Sequence, residues 1–230
     1  MSAQGQKPET ADQIVTKPVF QEERSGTGMK TRIKICGLRR EEDVQAVNEA
    51  KPDFCGFVIE VPKSFRSVTA SRVRELAERL DRDIQAVGVF VNAPEELAAE
   101  LLNEGVIRMA QLHGQEDEAY IRRLRKLTDR PLIQAFSVRT EKDIEHALKS
   151  AADYILLDQG GGGTGKPFDW SLIHGIERPF FLAGGLSGEN LESAIHKIHP
   201  YAVDLSSGVE TDMWKDPVKI KNAVEIVRRT

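Results

Sequence analysis

Short apolar runs rich in β-branched residues recur along the chain from residue 32, at spacings of about 22 to 31 residues. The eight runs are Arg32–Gly37, Phe54–Glu60, Gln85–Asn92, Arg108–Gly114, Pro131–Val138, Tyr154–Gln159, Pro179–Gly185 and Ala202–Gly208. Segments with helical periodicity separate the runs. Helix starts are predicted at Thr140 with Asp143, at Ser187 with Asn190, and at Asp216-Pro217. The pattern therefore predicts eight consecutive strand–helix units.

Eight such units in a chain of 230 residues predict an α/β protein with a single closed (β/α)₈ barrel, the TIM barrel, over residues 29–230. An open doubly wound sheet is the alternative. That fold usually has fewer units and a GxGxxG fingerprint in its first turn, where this chain has Cys36-Gly37-Leu38. Because barrel active sites lie at the C-terminal ends of the strands, polar residues there are the candidates for function.

Residues 1–28 lie outside the repeat and lack the basic start, apolar core and cleavage site of a signal peptide. Their composition predicts a disordered N-terminal tail. The alternative is an arm that packs on the barrel or on a neighbouring subunit. Its apolar anchors would be Ile14, Val15, Val19 and Phe20.

Composition excludes several classes of protein. Lys plus Arg is 32 and Asp plus Glu is 36, so the net charge of −4 disfavours a nucleic-acid partner. Apolar runs are too short for a membrane helix, so no membrane partner is expected. The only two cysteines, Cys36 and Cys55, form neither a disulfide framework nor a metal motif. The use of cysteine therefore favours a reducing, cytoplasmic compartment and no metal. We also expect a small-molecule substrate and a monomer or homodimer.

Two predicted strand ends carry groups suited to proton transfer. Cys36 ends the first strand and is followed by glycine, and Asp158 ends the apolar run Tyr154–Leu157. A thiol with a pKa near 8.5 needs activation to act as a base at neutral pH. A carboxyl group at a buried strand end favours the protonated form that a general acid needs. The alternatives are a packing cysteine, as expected for Cys55, and a salt-bridged aspartate.

Three glycine-rich turns and three polar side chains are candidates for substrate binding. Backbone amides of such turns bind phosphate, and the loops after strands 7 and 8 are the frequent phosphate site of barrels, although glycines also serve tight turns alone. The guanidinium of Arg66 suits a carboxylate, while His113 and Asp204 can hydrogen-bond to substrate or to other side chains. The turn candidates are Gly163, Gly165, Gly184, Gly185, Ser206, Ser207 and Gly208. These residues together predict aldose–ketose isomerisation of a phosphorylated substrate without a cofactor.

Eight motifs in order carry a family resemblance that extends from about residue 30 to the C-terminus. They are Lys34–Leu38, Ser64–Val68, Val87–Asn92, Gln111–Gly114, Leu156–Asp158, Gly162–Gly165 with Phe168–Trp170, Leu182–Leu186 and Asp204–Glu210. In this respect the chain closely resembles the phosphoribosylanthranilate isomerases of tryptophan biosynthesis.

The resemblance implies an Amadori rearrangement of N-(5-phosphoribosyl)anthranilate to 1-(2-carboxyphenylamino)-1-deoxyribulose 5-phosphate. It implies that Asp158 protonates the ring oxygen and that Cys36 removes the C2 proton from the resulting Schiff base. It also implies that Arg66 holds the anthranilate carboxylate and that the turns after strands 6, 7 and 8 bind the phosphate.

The chain departs from the family pattern in two places: Met213 stands where a glycine is usual, and the loop Asp158–Gly162 is short and glycine-rich. The first departure leaves the shape of the last loop open, and the second suggests a loop that orders on binding. The alternatives to this function are another phosphosugar barrel enzyme, such as indole-glycerol-phosphate synthase, and a non-catalytic phosphate-binding barrel. The synthase would be expected to use a lysine and a glutamate at its strand ends.

Overall fold

A computed structural model describes residues 30–158 and 170–230 of the chain. The predicted tail 1–28 and the turn residues Gly163 and Gly165 lie outside the described residues. Eight parallel strands, β1 to β8, form the central sheet. They span Arg32–Cys36, Phe54–Ile59, Gln85–Phe90, Met109–Leu112, Leu132–Ser137, Tyr154–Asp158, Phe180–Leu182 and Ala202–Leu205.

The sheet closes on itself, which confirms the predicted barrel. Each strand pairs in parallel with the strands before and after it in the chain, and β1 pairs with both β2 and β8. The register places Cys36 opposite Gly56 and Lys34 opposite Asp204. Since paired residues of parallel strands point to the same face, Lys34 and Asp204 share the barrel interior.

Seven α-helices, α1 to α7, surround the strands in the described part of the chain. They span Glu41–Ala50, Ala70–Ala77, Glu95–Asn103, Glu118–Leu124, Glu141–Leu148, Leu191–Ile198 and Pro217–Arg229. Predicted caps appear at three of them. Thr140 and Asp143 form a capping box, Asn190 is the N-cap of α6, and Asp216 accepts hydrogen bonds from two amides of α7, with Pro217 in the first turn.

The sixth predicted unit differs from the others. Between β6 and β7 the described residues hold only a 3₁₀ helix, Trp170–Leu172, where the repeat predicts an α-helix. Gly175 follows three residues later with a φ of +66°, a left-handed conformation that ends helices. Only four residues then remain before β7 at Phe180, so this stretch has no room for several α-helical turns.

Three short strands add to the rim from which the catalytic loops arise. Ser67–Val68 pairs with the end of β2. After β8, a 3₁₀ turn at Ser207–Val209 leads into a two-stranded antiparallel hairpin of Glu210–Thr211 and Trp214–Lys215. The loops after β1, β2 and β8 therefore meet on one side of the barrel mouth.

The barrel interior changes from aromatic to polar along the strands. At the N-terminal ends, Phe54, Tyr154, Phe181 and Tyr201 form an aromatic cluster with ring centroids 5.0–6.5 Å apart. A second apolar core fills the space between the strands and the helices. Aromatic rings therefore fill the N-terminal end of the barrel interior, and the C-terminal ends of the strands are where the sites of barrels lie.

Candidate active site

The thiol of Cys36 lies at the end of β1 and is almost completely buried, with 8% of the residue exposed. Gly56, its partner on β2, makes room for it, since a Cβ at Gly56 would lie only 2.7 Å from the sulfur. Burial raises the pKa of the Cys36 thiol above its ordinary value, and Asp204 adds to this. The ammonium groups of Lys34 and Lys215 oppose the rise. The resting site therefore holds a protonated thiol beside two cations.

A buried ion pair lies one interior layer below Cys36. The Lys34 Nζ donates to Asp204 Oδ2 at 2.8 Å and to Gln111 Oε1 at 2.9 Å, and Lys34 is fully buried. Burial alone would lower the pKa of Lys34, but the Asp204 carboxylate outweighs it, so the pKa is raised and the ammonium stays charged. Sequence reasoning singled out Asp204 and missed Lys34 and Gln111. A charged residue between Ile33 and Ile35 on a buried strand is the signal that points to such a pair.

The network continues from Gln111 to His113 and reaches Asp158. Because the amide oxygen of Gln111 accepts from Lys34, its nitrogen donates to His113 Nδ1, at 2.8 Å. The proton of the neutral imidazole is therefore on Nε2, which lies 3.9 Å from Asp158 Oδ2. Burial lowers the pKa of His113, which favours this neutral form. The imidazole N–H is thus on the nitrogen that lies near the Asp158 carboxyl, at a distance longer than a hydrogen bond.

Asp158 itself is more accessible than its apolar strand suggests. Its side chain is 26% exposed at the end of β6, where burial was expected from the sequence. The strand residues before it are buried, so only the carboxyl group reaches the open rim. It is therefore accessible from the barrel mouth.

Arg66 lies in the loop after β2 and already holds a carboxylate partner in the protein. Its Nε and Nη2 donate to the two oxygens of Glu210 at 2.8 and 2.7 Å. Lys215, buried behind them, donates to the same Glu210 at 2.7 Å and to the carbonyl oxygen of Ser206 at 3.0 Å. Burial alone would raise the pKa of Glu210, but the hydrogen bonds from Arg66 and Lys215 outweigh it and lower the pKa. Sequence reasoning predicted Arg66 alone and missed both partners.

The turns after β7 and β8 pack against each other. Gly184 and Gly185 have φ values of +92° and +65°, which other residues rarely adopt. Gly208 lies against the backbone of Leu186, and a Cβ there would collide with the Leu186 carbonyl. The Ser206 hydroxyl donates to the carbonyl oxygen of Cys36 at 3.1 Å, which ties the β8 turn to the end of β1.

The hairpin after β8 accounts for the shape of the last loop. Asp212 and Met213, its two central residues, have φ values of +50° and +64°, as in a type I′ turn. Met213 therefore occupies a left-handed position that favours glycine. Met213 as a whole is 61% exposed, and its carbonyl oxygen accepts from Arg39.

Two further features of the described part of the chain concern ligands and membranes. Residues 30–158 and 170–230 contain no cluster of three or more His, Cys, Asp and Glu side chains arranged to hold a metal ion. None of the helices described here is both long and apolar enough to cross a lipid bilayer.

The chain also matches a known protein family over nearly the whole barrel. Residues 33–226 match the model of the N-(5'-phosphoribosyl)anthranilate isomerase family. The chain belongs to this family. Its members are isomerases of tryptophan biosynthesis, so the resemblance inferred from the eight motifs is confirmed. The match favours this family over the indole-glycerol-phosphate synthase alternative.

Curated and solved members of the phosphoribosylanthranilate isomerase family cover nearly the same residues. The enzyme from Endomicrobium trichonymphae is 47% identical over 202 residues, which is 86% of this chain and 98% of that protein. The crystal structure from Thermotoga maritima has a TM-score of 0.79 at 36% identity, covering 87% of this chain and all of that one. A further family structure, in complex with reduced 1-(o-carboxyphenylamino)-1-deoxyribulose 5-phosphate, has a TM-score of 0.75 at 34% identity, with the same coverage.

Proposed function

We propose that this chain converts N-(5-phosphoribosyl)anthranilate into 1-(2-carboxyphenylamino)-1-deoxyribulose 5-phosphate, with Asp158 as general acid and Cys36 as general base. The observation that carries the proposal is the presence of a thiol and an accessible carboxyl group at the same barrel mouth, in a chain of this family. Isomerisation of an aldose to a ketose requires such a pair, because one proton is delivered to oxygen and another is removed from carbon.

In the first step Asp158 donates its proton to the furanose ring oxygen. The bond between C1 and the ring oxygen breaks, and the nitrogen lone pair forms the C1–N double bond of the open-chain Schiff base. The neutral His113 supports this role, because its protonated Nε2 lies 3.9 Å from Asp158 Oδ2, and a small approach would let it donate to the carboxylate that remains after transfer.

In the second step Cys36 removes the proton from C2. The electron pair of the C–H bond forms the C1–C2 double bond, and the C1–N electrons return to nitrogen to give an enolamine. Tautomerisation at C1 and O2 then yields the ketone. The resting thiol must lose its proton to solvent before this step. Lys34 and Lys215 favour that loss, because their ammonium groups oppose the rise in the thiol pKa that burial causes.

The two anionic ends of the substrate are assigned to different groups at the mouth. We assign the ring carboxylate to Arg66. The phosphate is assigned to the backbone amides of the turns after β6, β7 and β8. The proposed residues of those turns are Gly163, Gly165, Gly184, Gly185, Ser206, Ser207 and Gly208. His113 and Asp204 complete the proposed set, and no cofactor enters any step.

The test is the loss of substrate fluorescence on addition of the purified protein, with growth of a tryptophan auxotroph as support. Cys36→Ala and Asp158→Asn are each expected to lower kcat by about 10²–10⁴-fold with the fold intact. Cys55→Ala is the control for the first, because Cys55 is buried on the neighbouring strand. Near-normal turnover of either catalytic variant refutes the mechanism, and an inactive wild-type protein supports the non-catalytic phosphate-binding barrel.

Location and assembly follow as part of the same proposal. Cys36 and Cys55 are both free thiols, which supports a reducing compartment, and we assign the protein to the cytoplasm. The family member from Thermotoga maritima is described as dimeric. We propose a monomer or a homodimer for this chain, and light scattering of the full-length protein distinguishes the two.

A further inference from the structure

The hairpin after β8 places an acid and a base opposite each other at the barrel mouth. Glu210 and Lys215 are paired residues of its two strands. Both side chains are buried, with 8% of the Glu210 side chain and 1% of the Lys215 side chain exposed. A charge pair at this depth loses hydration, so its presence calls for a role beyond holding two short strands together.

Arg66 completes a cluster of two cations around one anion. Both oxygens of Glu210 accept from Arg66, and one also accepts from Lys215. The sum of the three charges is +1. Arg66 is the member closest to solvent, with 22% of its side chain exposed. The positive charge of the cluster is therefore presented to the mouth through the guanidinium of Arg66.

The guanidinium is fixed on three sides. Glu210 holds the edge formed by Nε and Nη2, and the ring of Phe65 lies 4.2 Å from Cζ. The stem passes over Gly37, where a Cβ would lie 2.6 Å from Cδ of Arg66. Two of the five N–H donors are used by Glu210, and Nη1 has no acceptor among the residues that the structure describes.

We propose that Glu210 and Lys215 are positioning residues that direct the Nη1 side of Arg66 toward the carboxylate of the aryl ring and so select substrates with a carboxylated ring. This inference rests on the function proposed above. Glu210 fixes the orientation of the guanidinium, and a fixed fork binds a planar carboxylate better than a mobile one. Lys215 supplies the charge that Glu210 cancels, because Arg66 and Glu210 alone form a neutral pair.

Two stable product analogues measure this selection directly. One is reduced 1-(2-carboxyphenylamino)-1-deoxyribulose 5-phosphate, and the other is the same molecule without the ring carboxyl group. The ratio of their Kd values, from isothermal titration calorimetry, reports selection for the carboxylate. A residue with only a structural role weakens both ligands alike and leaves the ratio unchanged. For the wild-type protein we expect a preference of roughly 10- to 100-fold.

The variant Glu210→Gln separates orientation from charge. It raises the charge of the cluster from +1 to +2 but removes the carboxylate that holds Arg66. If Glu210 orients Arg66, the preference for the carboxylated analogue should fall at least about threefold in this variant. If only the charge of the cluster matters, the preference should increase. Lys215→Met is expected to lower the preference by about tenfold, and Lys215→Arg to retain most of it.

Control variants distinguish a failure of this inference from a failure of the proposed function. Asp212→Asn removes a carboxylate from the same hairpin, at its turn, and is expected to leave both Kd values within about twofold. If Lys215→Met does not fold, Glu210→Gln with Lys215→Arg still decides the matter. An unchanged or increased preference in Glu210→Gln overturns this inference while wild-type binding stands. Failure of the wild-type protein to bind either analogue would instead overturn the proposed function.

Discussion

Replacement of Lys34 by methionine is expected to destabilise the barrel strongly, because it leaves the buried carboxylate of Asp204 without its ion-pair partner. The ammonium of Lys34 donates to Asp204 and to Gln111 from a fully buried position. The Oδ1 atom of Asp204 is also buried and has no hydrogen-bond partner among the described residues. The variant would therefore leave the whole Asp204 carboxylate without a partner, together with the Gln111 amide oxygen.

Two independent estimates give a similar decrease in the free energy of unfolding for Lys34→Met. Removing one member of a buried ion pair costs about 3–5 kcal/mol. Losing two hydrogen bonds to a charged group, at about 1.5–3 kcal/mol each, gives about 3–6 kcal/mol. Native domains have a total stability of about 5–15 kcal/mol. For a chain of this size, a loss of about 3–6 kcal/mol corresponds to a decrease in Tm of roughly 6–24 °C.

Urea unfolding followed by far-UV circular dichroism measures the loss for Lys34→Met. The matched control is the double variant with Asp204→Leu, which removes both charges and replaces them with apolar groups of similar volume. Such replacements are often neutral, so the double variant is expected to recover most of the lost stability. A loss below about 1 kcal/mol for Lys34→Met, or a double variant no more stable than the single one, would refute the reasoning.

Four further predictions concern Met213, the two cysteines, Gly56 and the N-terminal tail. Met213→Gly should raise the free energy of unfolding by about 0.5–1 kcal/mol, because φ there is +64°; an unchanged urea midpoint contradicts this. Iodoacetamide should label Cys36 more slowly than a free thiol at pH 7, and labelling should accelerate only at a pH higher than for a free thiol, since burial raises the pKa of Cys36, while Cys55 stays unlabelled. Peptide mass spectrometry that finds Cys36 labelled as fast as a free thiol at pH 7 would contradict this. Gly56→Ala should lower kcat at nearly unchanged KM, because its Cβ would press on the Cys36 sulfur; full turnover would exclude that contact. Deletion of residues 1–28 should leave kcat and Tm nearly unchanged, and a large loss in either would support a packed arm.

The positions of the strands were predictable because their sequence signal is local. An apolar run of parallel-sheet type ends where the chain turns polar, so Cys36 and Asp158 could be placed at strand ends from the sequence alone. Capping patterns are equally local, as Thr140 and Asp216 show. Among residues 30–158 and 170–230, the sixth unit departs from the repeat, at a short segment where Gly175 has a left-handed conformation.

The partners of the rim residues were not predictable in the same way, since they depend on strand register and loop packing. Lys34 and Asp204 are separated by 170 residues, and Arg66 and Glu210 by 144. Nothing in the spacing of these residues links them before the barrel closes. The sequence therefore indicated which groups reach the mouth, whereas the structure shows which of them are neutralised there.

The protein has a net charge of −4, yet the proposed substrate is anionic, so local cations at the mouth must attract it. Arg66 is the obvious cation of the mouth, yet Glu210 cancels its charge, and Asp204 cancels that of Lys34 in the same way. Lys215 is the remaining cation of these groups, and it is buried below the surface that a ligand touches. A charge buried in protein is screened by salt far less than the scattered surface charges, whose fields fade within about 8–10 Å. In the binding mode proposed above, Lys215 would therefore contribute an attraction that salt weakens little, without contacting the ligand.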